Sequence, residues 1–405
     1  MSRGELMKTK LGGRGVSFHS AEFFANPYAT YDLLRETDPV HWSDELGRWV
    51  LTRYEDTIQV LRGTRFTSQP KHRGVFRHGL SYLDGDDHAR IRKLLNPYFT
   101  REASMRTLEL LEDVADELVQ QILHARELDF VAGFAKPFSI RLITQILDLP
   151  VADGPLLARW TTEVMNAEGI AATAQARLRS VETYRTMGRY VQQLLDDMPV
   201  GDDGSLSSAL LRAHRDRVLT TDELSDTVME LVMGTLETTP ALLSSGLLAL
   251  LRNPVEAGKL VEDPSRVGNA VEEMLRYDAP FQFANRIART DVQIGESRIR
   301  AGDSLLQFLG AANRDPARFP DPHRFDVERS NAVKHLAFGG GLHHCAGSAV
   351  ARLATGMVFK KLLPHHARIQ RTEHAECWQS QSLMLRKLES LPITVQTPHG
   401  HTGSE

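Results

Sequence analysis

The longest uninterrupted helical pattern of apolar positions in this chain runs from Thr221 to about Arg252. Thr220 and Glu223 match a capping box at its start, and Asn253-Pro254 predicts its end. A helix of this length is a rod of about 45 Å, which is long enough to cross a whole domain. The sequence therefore predicts one helix that spans the molecule.

The middle of this helix, residues 231–240, is apolar on both flanks yet contains Glu237 and Thr238. Pro240 has no amide hydrogen for the carbonyl of Leu236, and its ring crowds that carbonyl. We therefore expect a kink or an opened turn beside Glu237. The plain alternative is a tolerated proline next to a core glutamate. We favour a functional role, because a charged glutamate is costly to bury without one.

The remaining pattern predicts a mainly α fold with small β-sheets, of the α+β class. Helical periodicity covers residues 27–34, 54–62, most of 104–220 and about 267–277. Alternating patterns predict strands at residues 40–42, 49–52, 281–288, 292–294, 299–300 and 305–309, and a hairpin over 383–395 that turns at 389–390.

Composition and charge narrow the classes of function. The chain has 405 residues and a formal net charge of −4, which argues against nucleic acid as an electrostatic partner. Its two cysteines, Cys345 and Cys377, are too few for a disulfide framework and fit a reducing compartment. No apolar run is long enough for a signal peptide or a membrane span. We expect a cytoplasmic protein with one domain over residues 21–398, between flexible segments at 1–20 and 399–405.

A glycine-rich stretch from Phe338 to Gly347 carries the strongest chemical signal. Three consecutive glycines precede Cys345, and a helical pattern follows it, so the thiol lies near the positive end of a helix dipole. The residues alone leave three interpretations open. The cysteine is a small core residue after an ordinary turn, a zinc ligand with His343 and His344, or the thiolate ligand of a haem. The zinc interpretation lacks a second ligand cluster in the sequence.

Two helical pairs are commonplace when taken alone. His88 and Arg92 are four residues apart and share a helical face, which is typical of a solvated basic surface or of donors aimed at carboxylates or phosphates. Glu273 and Arg276 are three apart, as in an ordinary surface ion pair.

Together, these motifs resemble those of the cytochromes P450, in particular the soluble bacterial kind, over nearly the whole chain. The resemblance implies the P450 fold, a helix-rich prism around a buried haem b. The matching positions are Phe338-Gly339-x-Gly341-x-His343-x-Cys345-x-Gly347 for the haem-binding loop, Glu273-x-x-Arg276 for the K helix, Pro322-x-Arg324-Phe325-Asp326 for the meander, Glu237-Thr238 for the I helix, His88-x-x-x-Arg92 for the C helix, and Arg286 after the K helix.

The resemblance also implies a role for each matched side chain. Cys345 is expected to ligate the haem iron, Thr238 to hydrogen-bond dioxygen, and Glu237 to relay protons. The haem-binding residues it implies are His88, Arg92, Arg286, Phe338, His343 and Gly347, with propionate binding assigned to the first three and His343. The residues expected to support the cysteine loop from behind are Glu273, Arg276 and Arg324.

The activity implied is that of a haem-thiolate monooxygenase that hydroxylates or epoxidises an apolar small molecule. Tailoring of a polyketide, peptide or terpenoid is the expected setting, with electrons from ferredoxin and ferredoxin reductase and the protein acting as a monomer. Arg90, Lys93 and Arg352 either meet that acidic partner or are plain solvated charges. The implied pocket comprises Met233, Gly234, Phe281, Phe283, Ala284 and Leu383, with parts of the segments 70–82 and 165–180.

The chain departs from the family pattern at two places on the long helix. Thr235 stands where a glycine is usual, and Pro240 directly follows Thr238-Thr239. The segment Gly85-Asp86-Asp87 also replaces prolines that often precede the C-helix histidine. Two rival functions remain to be weighed: a peroxygenase of the same fold, and a catalytically silent protein that binds haem or a carrier. The Glu237-Thr238 pair argues against the peroxygenase, and Cys345 together with Glu237-Thr238 argues against the silent protein.

Overall fold

The structure is a computed structural model that describes residues 16–69, 78–167, 173–198, 201, 204–372 and 376–396. The predictions for residues 1–15, 70–77, 168–172 and 397–405 lie outside the described residues. The helices are α1 (Ala21–Ala25), α2 (Tyr28–Thr37), α3 (Tyr54–Arg62), α4 (Gly85–Leu95), α5 (Arg101–Glu109), α6 (Glu112–His124), α7 (Lys136–Leu147), α8 (Gly154–Ala167), α9 (Ala174–Asp197), α10 (Leu206–Arg215), α11 (Thr221–Arg252), α12 (Pro254–Glu262), α13 (Val267–Tyr277), α14 (Leu309–Ala312) and α15 (Ser348–Leu362).

The strands are short and form four small sheets across the described ranges. The largest has the order β1-β2-β8-β5-β3, in which β2 and β8 are parallel and the other pairs are antiparallel. The strands are β1 (Val40–Ser43), β2 (Arg48–Leu51), β3 (Phe66–Thr67), β4 (Glu127–Asp129), β5 (Phe283–Ala288), β6 (Val292–Ile294), β7 (Ser297–Ile299), β8 (Ser304–Phe308), β9 (Ile369–Arg371), β10 (Cys377–Trp378), β11 (Leu388–Ser390) and β12 (Pro392–Val395). These elements confirm the predicted class, mainly helical with small sheets.

Helix α11 is the axis of the fold and has the predicted bounds. The Thr220 hydroxyl accepts the amide of Glu223, and the Glu223 carboxylate accepts the amide of Thr220, so the predicted capping box is present. The helix contacts α7, α8, α9 and α13, and its side chains are buried on nearly every face. Its position fixes where the other helices lie.

Of the two alternatives that we expected at Pro240, the opened turn is wrong, because α11 is continuous from Thr221 to Arg252. The kink stays a prediction. Packing on all sides holds the backbone helical, although Pro240 removes one amide donor. The Ser244 hydroxyl donates to the carbonyl of Pro240 (2.7 Å) in the next turn.

The predicted hairpin over 383–395 is also wrong, because its two strands belong to different sheets. Strand β11 pairs with β10, whereas β12 pairs with both β4 and β9. Leu391 alone separates the strands, and its carbonyl accepts the amide of Phe130 (2.9 Å). One buried residue that faces a third segment leaves no room for a tight turn, so the chain passes from one sheet to the next.

No helix within the described ranges is long and apolar enough to cross a membrane.

Helix α11 comes closest to its neighbours at Gly246. A Cβ at this position would lie 2.8 Å from the Met274 sulfur in α13 and 3.0 Å from the Phe359 ring in α15. The absence of a side chain therefore lets three helices meet.

We predict that Gly246→Val lowers the free energy of unfolding by about 2 kcal/mol, because the added carbons overpack a closed junction. Urea unfolding of the haem-loaded protein measures this. Gly258→Ala is the matched control, since a Cβ there meets no atom within 4 Å. A Gly246→Val variant as stable as the control would contradict the packing argument.

Candidate active site

The glycine-rich loop before Cys345 has a backbone that other residues would strain. Gly339 and Gly341 have φ angles of +69° and +70°, in the left-handed region that favours glycine. A Cβ on Gly341 would lie 2.4 Å from the carbonyl oxygen of Leu61 in α3, so the loop packs directly on that helix. The amide of Cys345 donates to the carbonyl of Phe338 (3.0 Å) and closes the loop.

Cys345 is an exposed residue with a free thiol, although many protein atoms lie around its sulfur. Burial raises the pKa of this thiol above its usual value, while the amide of Gly347 and the charges of Arg92 and Arg352 act in the opposite direction. The net effect keeps a proton on the sulfur. A bound metal ion would displace that proton, because thiolates and not thiols ligate metals.

An ion-pair cluster supports the ring of Phe338 from behind. The Arg352 guanidinium lies 4.5 Å from the ring centroid and pairs with Glu272 (2.6 Å), which also contacts His335 (3.1 Å). Burial opposes ionisation of Glu272, but the hydrogen bonds with His335 and Arg352 outweigh it and lower its pKa to about 2. The charged cluster fixes one wall of the cysteine loop. Glu272 was not predicted from the sequence. Its position next to Glu273 was the single sequence signal for a role here.

Glu273 and Arg276 form a fully buried ion pair rather than a surface one. Both side chains have 0% exposure, and two nitrogen–oxygen contacts of 2.6 and 2.8 Å join them. Arg329, also buried, approaches the same carboxylate (3.2 Å), and the amide of Asp326 donates to it (3.0 Å). The pair therefore ties α13 to the loop that precedes the cysteine.

The prediction for the Arg324 side chain is wrong. Its guanidinium is 66% exposed and pairs with Asp326 (2.6 Å), so it does not support the cysteine loop. The carbonyl of Arg324 instead accepts hydrogen bonds from Arg276 (3.2 Å) and Arg329 (2.9 Å). Arg329 has the structural role instead. It lies five residues after Arg324, where the backbone has turned back towards Glu273.

A short relay of hydrogen bonds connects this network to the cysteine loop. Arg276 donates to the carbonyl of Asn313 (3.0 Å), and the Asn313 side chain accepts the amide of Leu336 (2.6 Å). The carbonyl of Leu336 accepts the amide of Gly339 (2.8 Å). Glu273 and Arg276 thus act on the loop through Asn313, which the sequence analysis did not single out.

His88 and His343 lie together on the other side of the loop. Their ring centroids are 4.5 Å apart, and His343 Nε2 lies 3.0 Å from Asp84 Oδ1. Burial lowers the pKa of His343 to about 4, so its ring is neutral at pH 7. His88 is 5% exposed, and its Nε2 has no hydrogen-bond partner among the described residues.

Two arginines complete a basic cradle around His88. Arg286 is buried on β5 and donates to the carbonyl of Asn285 (2.8 Å), while Arg92 is half-buried on α4. Neither forms an ion pair within the described ranges. Buried cations and an orphaned ring nitrogen are costly unless an anion meets them. The cradle therefore fits a group with two carboxylates beside the cysteine, as the haem propionates would be.

The zinc interpretation of His343, His344 and Cys345 gains no support. No group of three or more histidine, cysteine or acidic side chains in the described part of the chain is arranged to hold a metal ion. A structural zinc site requires four such ligands.

One narrow stripe of α11 is accessible, although the helix is otherwise buried from residue 223 to 250. Gly234 is exposed. The half-buried residues of this stretch lie next to it or one helical turn away. A side chain on Gly234 would meet no atom within 4 Å. This accessible stripe consists of Glu230, Leu231, Gly234, Thr235 and Thr238.

Both threonines of the stripe bond to carbonyls one turn earlier. The Thr238 hydroxyl donates to the carbonyl of Gly234, and the Thr235 hydroxyl donates to that of Leu231 (2.9 Å). Thr235 therefore satisfies its own polar atom within the helix. It replaces the usual glycine without leaving an unpaired group.

Glu237 points away from the stripe and is 3% exposed. The Thr162 hydroxyl of α8 donates to its Oε1 (2.7 Å), and Lys387 pairs with its Oε2. The acid is thus a buried ion-pair member beside Thr238. Neither Thr162 nor Lys387 was predicted from the sequence.

Comparison with known proteins agrees with this arrangement. A family model for cytochrome P450 matches residues 185–385. The chain is 31% identical over 401 residues to 6-deoxyerythronolide B hydroxylase of Saccharopolyspora erythraea, an alignment that covers 92% of this chain and 97% of that protein. The chain belongs to the cytochrome P450 family. It is also 30% identical over 391 residues to a biotin biosynthesis cytochrome P450 of Bacillus subtilis, with 93% and 98% coverage.

Solved P450 structures superpose closely on this fold. P450BioI, in complex with an acyl carrier protein that carries hexadec-9Z-enoic acid, has a TM-score of 0.87 and 29% identity, and covers 93% of this chain and 100% of its own. The epothilone B-bound P450epoK has a TM-score of 0.86 at 25% identity. The resemblance, the fold class and the enzyme class predicted from the sequence are therefore confirmed. The protein is a haem-dependent P450 monooxygenase.

This P450 divides the six predicted pocket residues among different clusters. Met233 and Phe281 pack in one cluster together with Met384, and Gly234 opens beside them on α11. Phe283 and Leu383 pack instead with Phe308 in the N-terminal core, and Ala284 packs against a third cluster around Phe319. Alternation along β5 separates Phe283 from Ala284, since neighbouring residues of a strand point to opposite faces.

We predict that Arg329→Met destabilises this P450 by about 3 kcal/mol, because it removes one partner from a buried charge network. Thermal unfolding and the yield of haem-loaded protein measure the loss. Arg324→Met is the matched control and changes stability by less than about 0.5 kcal/mol, since its guanidinium is exposed. A larger loss in the Arg324 variant than in the Arg329 variant would reverse our assignment.

Proposed function

We propose that this P450 hydroxylates or epoxidises an apolar, medium-sized natural product, with Thr238 and Glu237 managing proton delivery. The accessible stripe of α11 carries the proposal. A helix buried on all other faces exposes Gly234 and half-exposes the Thr238 hydroxyl along one line, as expected of the wall of a reaction cavity.

We infer that haem b would bind between this stripe and the cysteine loop, with its ligands supplied by residues of this chain. Cys345 would supply the axial thiolate, and His88, Arg92 and Arg286 would hold the propionates. Asp84 would keep His343 in place beside them, since the two already pair. When bound, a cysteine-ligated haem activates dioxygen and transfers one oxygen atom to substrate, while the other leaves as water.

The protein's part is to hold and move protons. The Thr238 hydroxyl donates to the Gly234 carbonyl, which leaves its oxygen lone pairs free to accept a further hydrogen bond from the cavity. Glu237 lies on the interior side of Thr238, where it would take up protons from the solvent side and pass them to Thr238.

The accessible stripe also bears one polar point for substrate. Glu230 accepts hydrogen bonds from the amide of Ser81 (3.3 Å), and burial raises its pKa to about 7. An apolar cavity with one such carboxyl suits a substrate that is largely hydrocarbon with a hydroxyl or amine. The hexadec-9Z-enoic acid on the acyl carrier protein in the P450BioI complex is likewise largely hydrocarbon.

Electrons would come from ferredoxin and its reductase to a monomeric P450. Of the three cations considered for that partner, Arg90 pairs with Glu223 and Arg352 pairs with Glu272. Lys93 is exposed on α4, and the nearby Leu342 is 76% exposed beside the cysteine loop. We propose that this pair of residues, Lys93 and Leu342, marks the docking face.

We predict that Thr238→Ala lowers product formation by about 10²-fold while consumption of NAD(P)H continues, because a group positioned in a proton-transfer path typically contributes that much. A panel of myristic acid, testosterone and hexadec-9Z-enoic acid, screened by substrate-induced spin-state shift, supplies the probe. Product is identified by mass spectrometry.

The matched control is Thr235→Ala, which removes the neighbouring hydroxyl of the same stripe; because the proposed relay does not use Thr235, turnover should stay intact. The reduced, CO-bound spectrum of both variants should remain that of a cysteine-ligated haem. A histidine-type spectrum in the parent enzyme would overturn the site, and turnover with hydrogen peroxide alone would establish the peroxygenase instead.

A further inference from the structure

Lys387 forms an ion pair with Glu237 in the interior of the protein. The Lys387 side chain is 14% exposed and the Glu237 side chain 3%. A lysine seldom enters the interior unless a charge there requires it. The pair therefore has a specific reason to exist beside the proposed proton relay.

The two oxygens of Glu237 are held by donors from two different segments. Thr162 in α8 donates to Oε1 (2.7 Å), and Lys387, just before β11, occupies Oε2. A carboxylate held at both oxygens cannot rotate about its terminal bond without losing a contact. The arrangement fixes the direction in which Glu237 presents its lone pairs.

The backbone around Lys387 is anchored on both sides. Arg386 pairs with Asp278 (2.7 Å) and stacks on Trp378 at 3.8 Å. The carbonyl of Lys387 accepts the amide of Gln379 (3.1 Å). Neighbouring residues of an extended segment point to opposite faces, so the contacts of Arg386 with Asp278 and Trp378 leave Lys387 directed the other way, towards Glu237.

We propose that Lys387 is a positioning residue for Glu237: it holds the acid in one orientation so that protons reach Thr238 at the rate that oxygen chemistry needs. This inference rests on the proposed relay role of Glu237. It adds a basic residue from the C-terminal segment to a relay that the sequence placed on α11 alone.

The test uses Lys387→Met, which removes the charge, and Lys387→Arg, which keeps it. Lys361→Met is the matched control. Lys361, near the end of α15, is 18% exposed and pairs with Glu112 and Asp116 of α6. Each haem-loaded variant is supplied with ferredoxin, its reductase, NAD(P)H and dioxygen, without organic substrate. The hydrogen peroxide formed per NAD(P)H and the solvent isotope effect on NAD(P)H consumption are measured.

We expect Lys387→Met to divert electrons from water to hydrogen peroxide and to raise the solvent isotope effect. Water formation should fall by about tenfold or more, since misplacing a catalytic group by 1 Å costs up to about 10²-fold. Lys387→Arg should restore most of the parental behaviour, and Lys361→Met should match the parent. Equal values in all four proteins would overturn the proposal.

Unfolding gives a readout that does not depend on activity. Lys387→Met leaves a buried carboxylate unpaired, so its urea midpoint should fall. Adding Glu237→Gln removes that charge, and the double variant should recover the midpoint. The double variant also keeps the proposal testable if Lys387→Met does not fold. A double variant less stable than either single one would show that the two residues act independently and overturn the proposal.

The Glu237→Gln variant separates this inference from the proposed function. If Glu237→Gln leaves the peroxide yield and isotope effect unchanged, the relay role of Glu237 fails, and the Lys387 proposal fails with it. If Glu237→Gln changes both while Lys387→Met changes neither, the relay stands and only Lys387 is excluded.

Discussion

The buried Glu273–Arg276 pair is the constraint on which the cysteine side of this P450 depends. Two opposite charges with no solvent contact are stable only while all their remaining hydrogen-bonding capacity is used. That requirement draws in Arg329, the amide of Asp326 and the carbonyl of Asn313. Asn313 then fixes the segment that leads to Gly339. The position of the thiol is thus set by electrostatics some distance behind it.

The helices of the fold were predicted well from the sequence, because the periodicity and the caps that define a long helix lie within the helix itself. The bounds of α11 follow from its capping box and its apolar periodicity, and those of α13 follow from periodicity alone. The prediction of a C-terminal hairpin was wrong because strand pairing is not local: β11 pairs with β10, whereas β12 pairs with β4 and β9 in another sheet. Local pattern shows that a strand exists and does not show its partner.

The candidate site divides along the same line. Motif residues such as Cys345, His88 and Arg276 have fixed neighbours in the sequence, so their roles could be predicted from the chain. The structure also brings in Glu272, Arg329 and Lys387, which no sequence motif identifies. Their partners lie between 56 and 150 positions away in the chain, so no local spacing could have predicted these contacts. The Arg324 prediction failed because two arginines close in sequence compete for one carboxylate. Only the path of the backbone decides between them.

The close approach of Gly341 to Leu61 has a consequence for cofactor loading. The cysteine loop is held against α3 by the protein's own packing, with no room for a side chain at that point. Its conformational entropy is therefore lost during folding and not during haem capture. As the proposed iron ligand, the preorganised Cys345 thiol would gain affinity without any additional contact, and the loop would accept the cofactor with little rearrangement of its own.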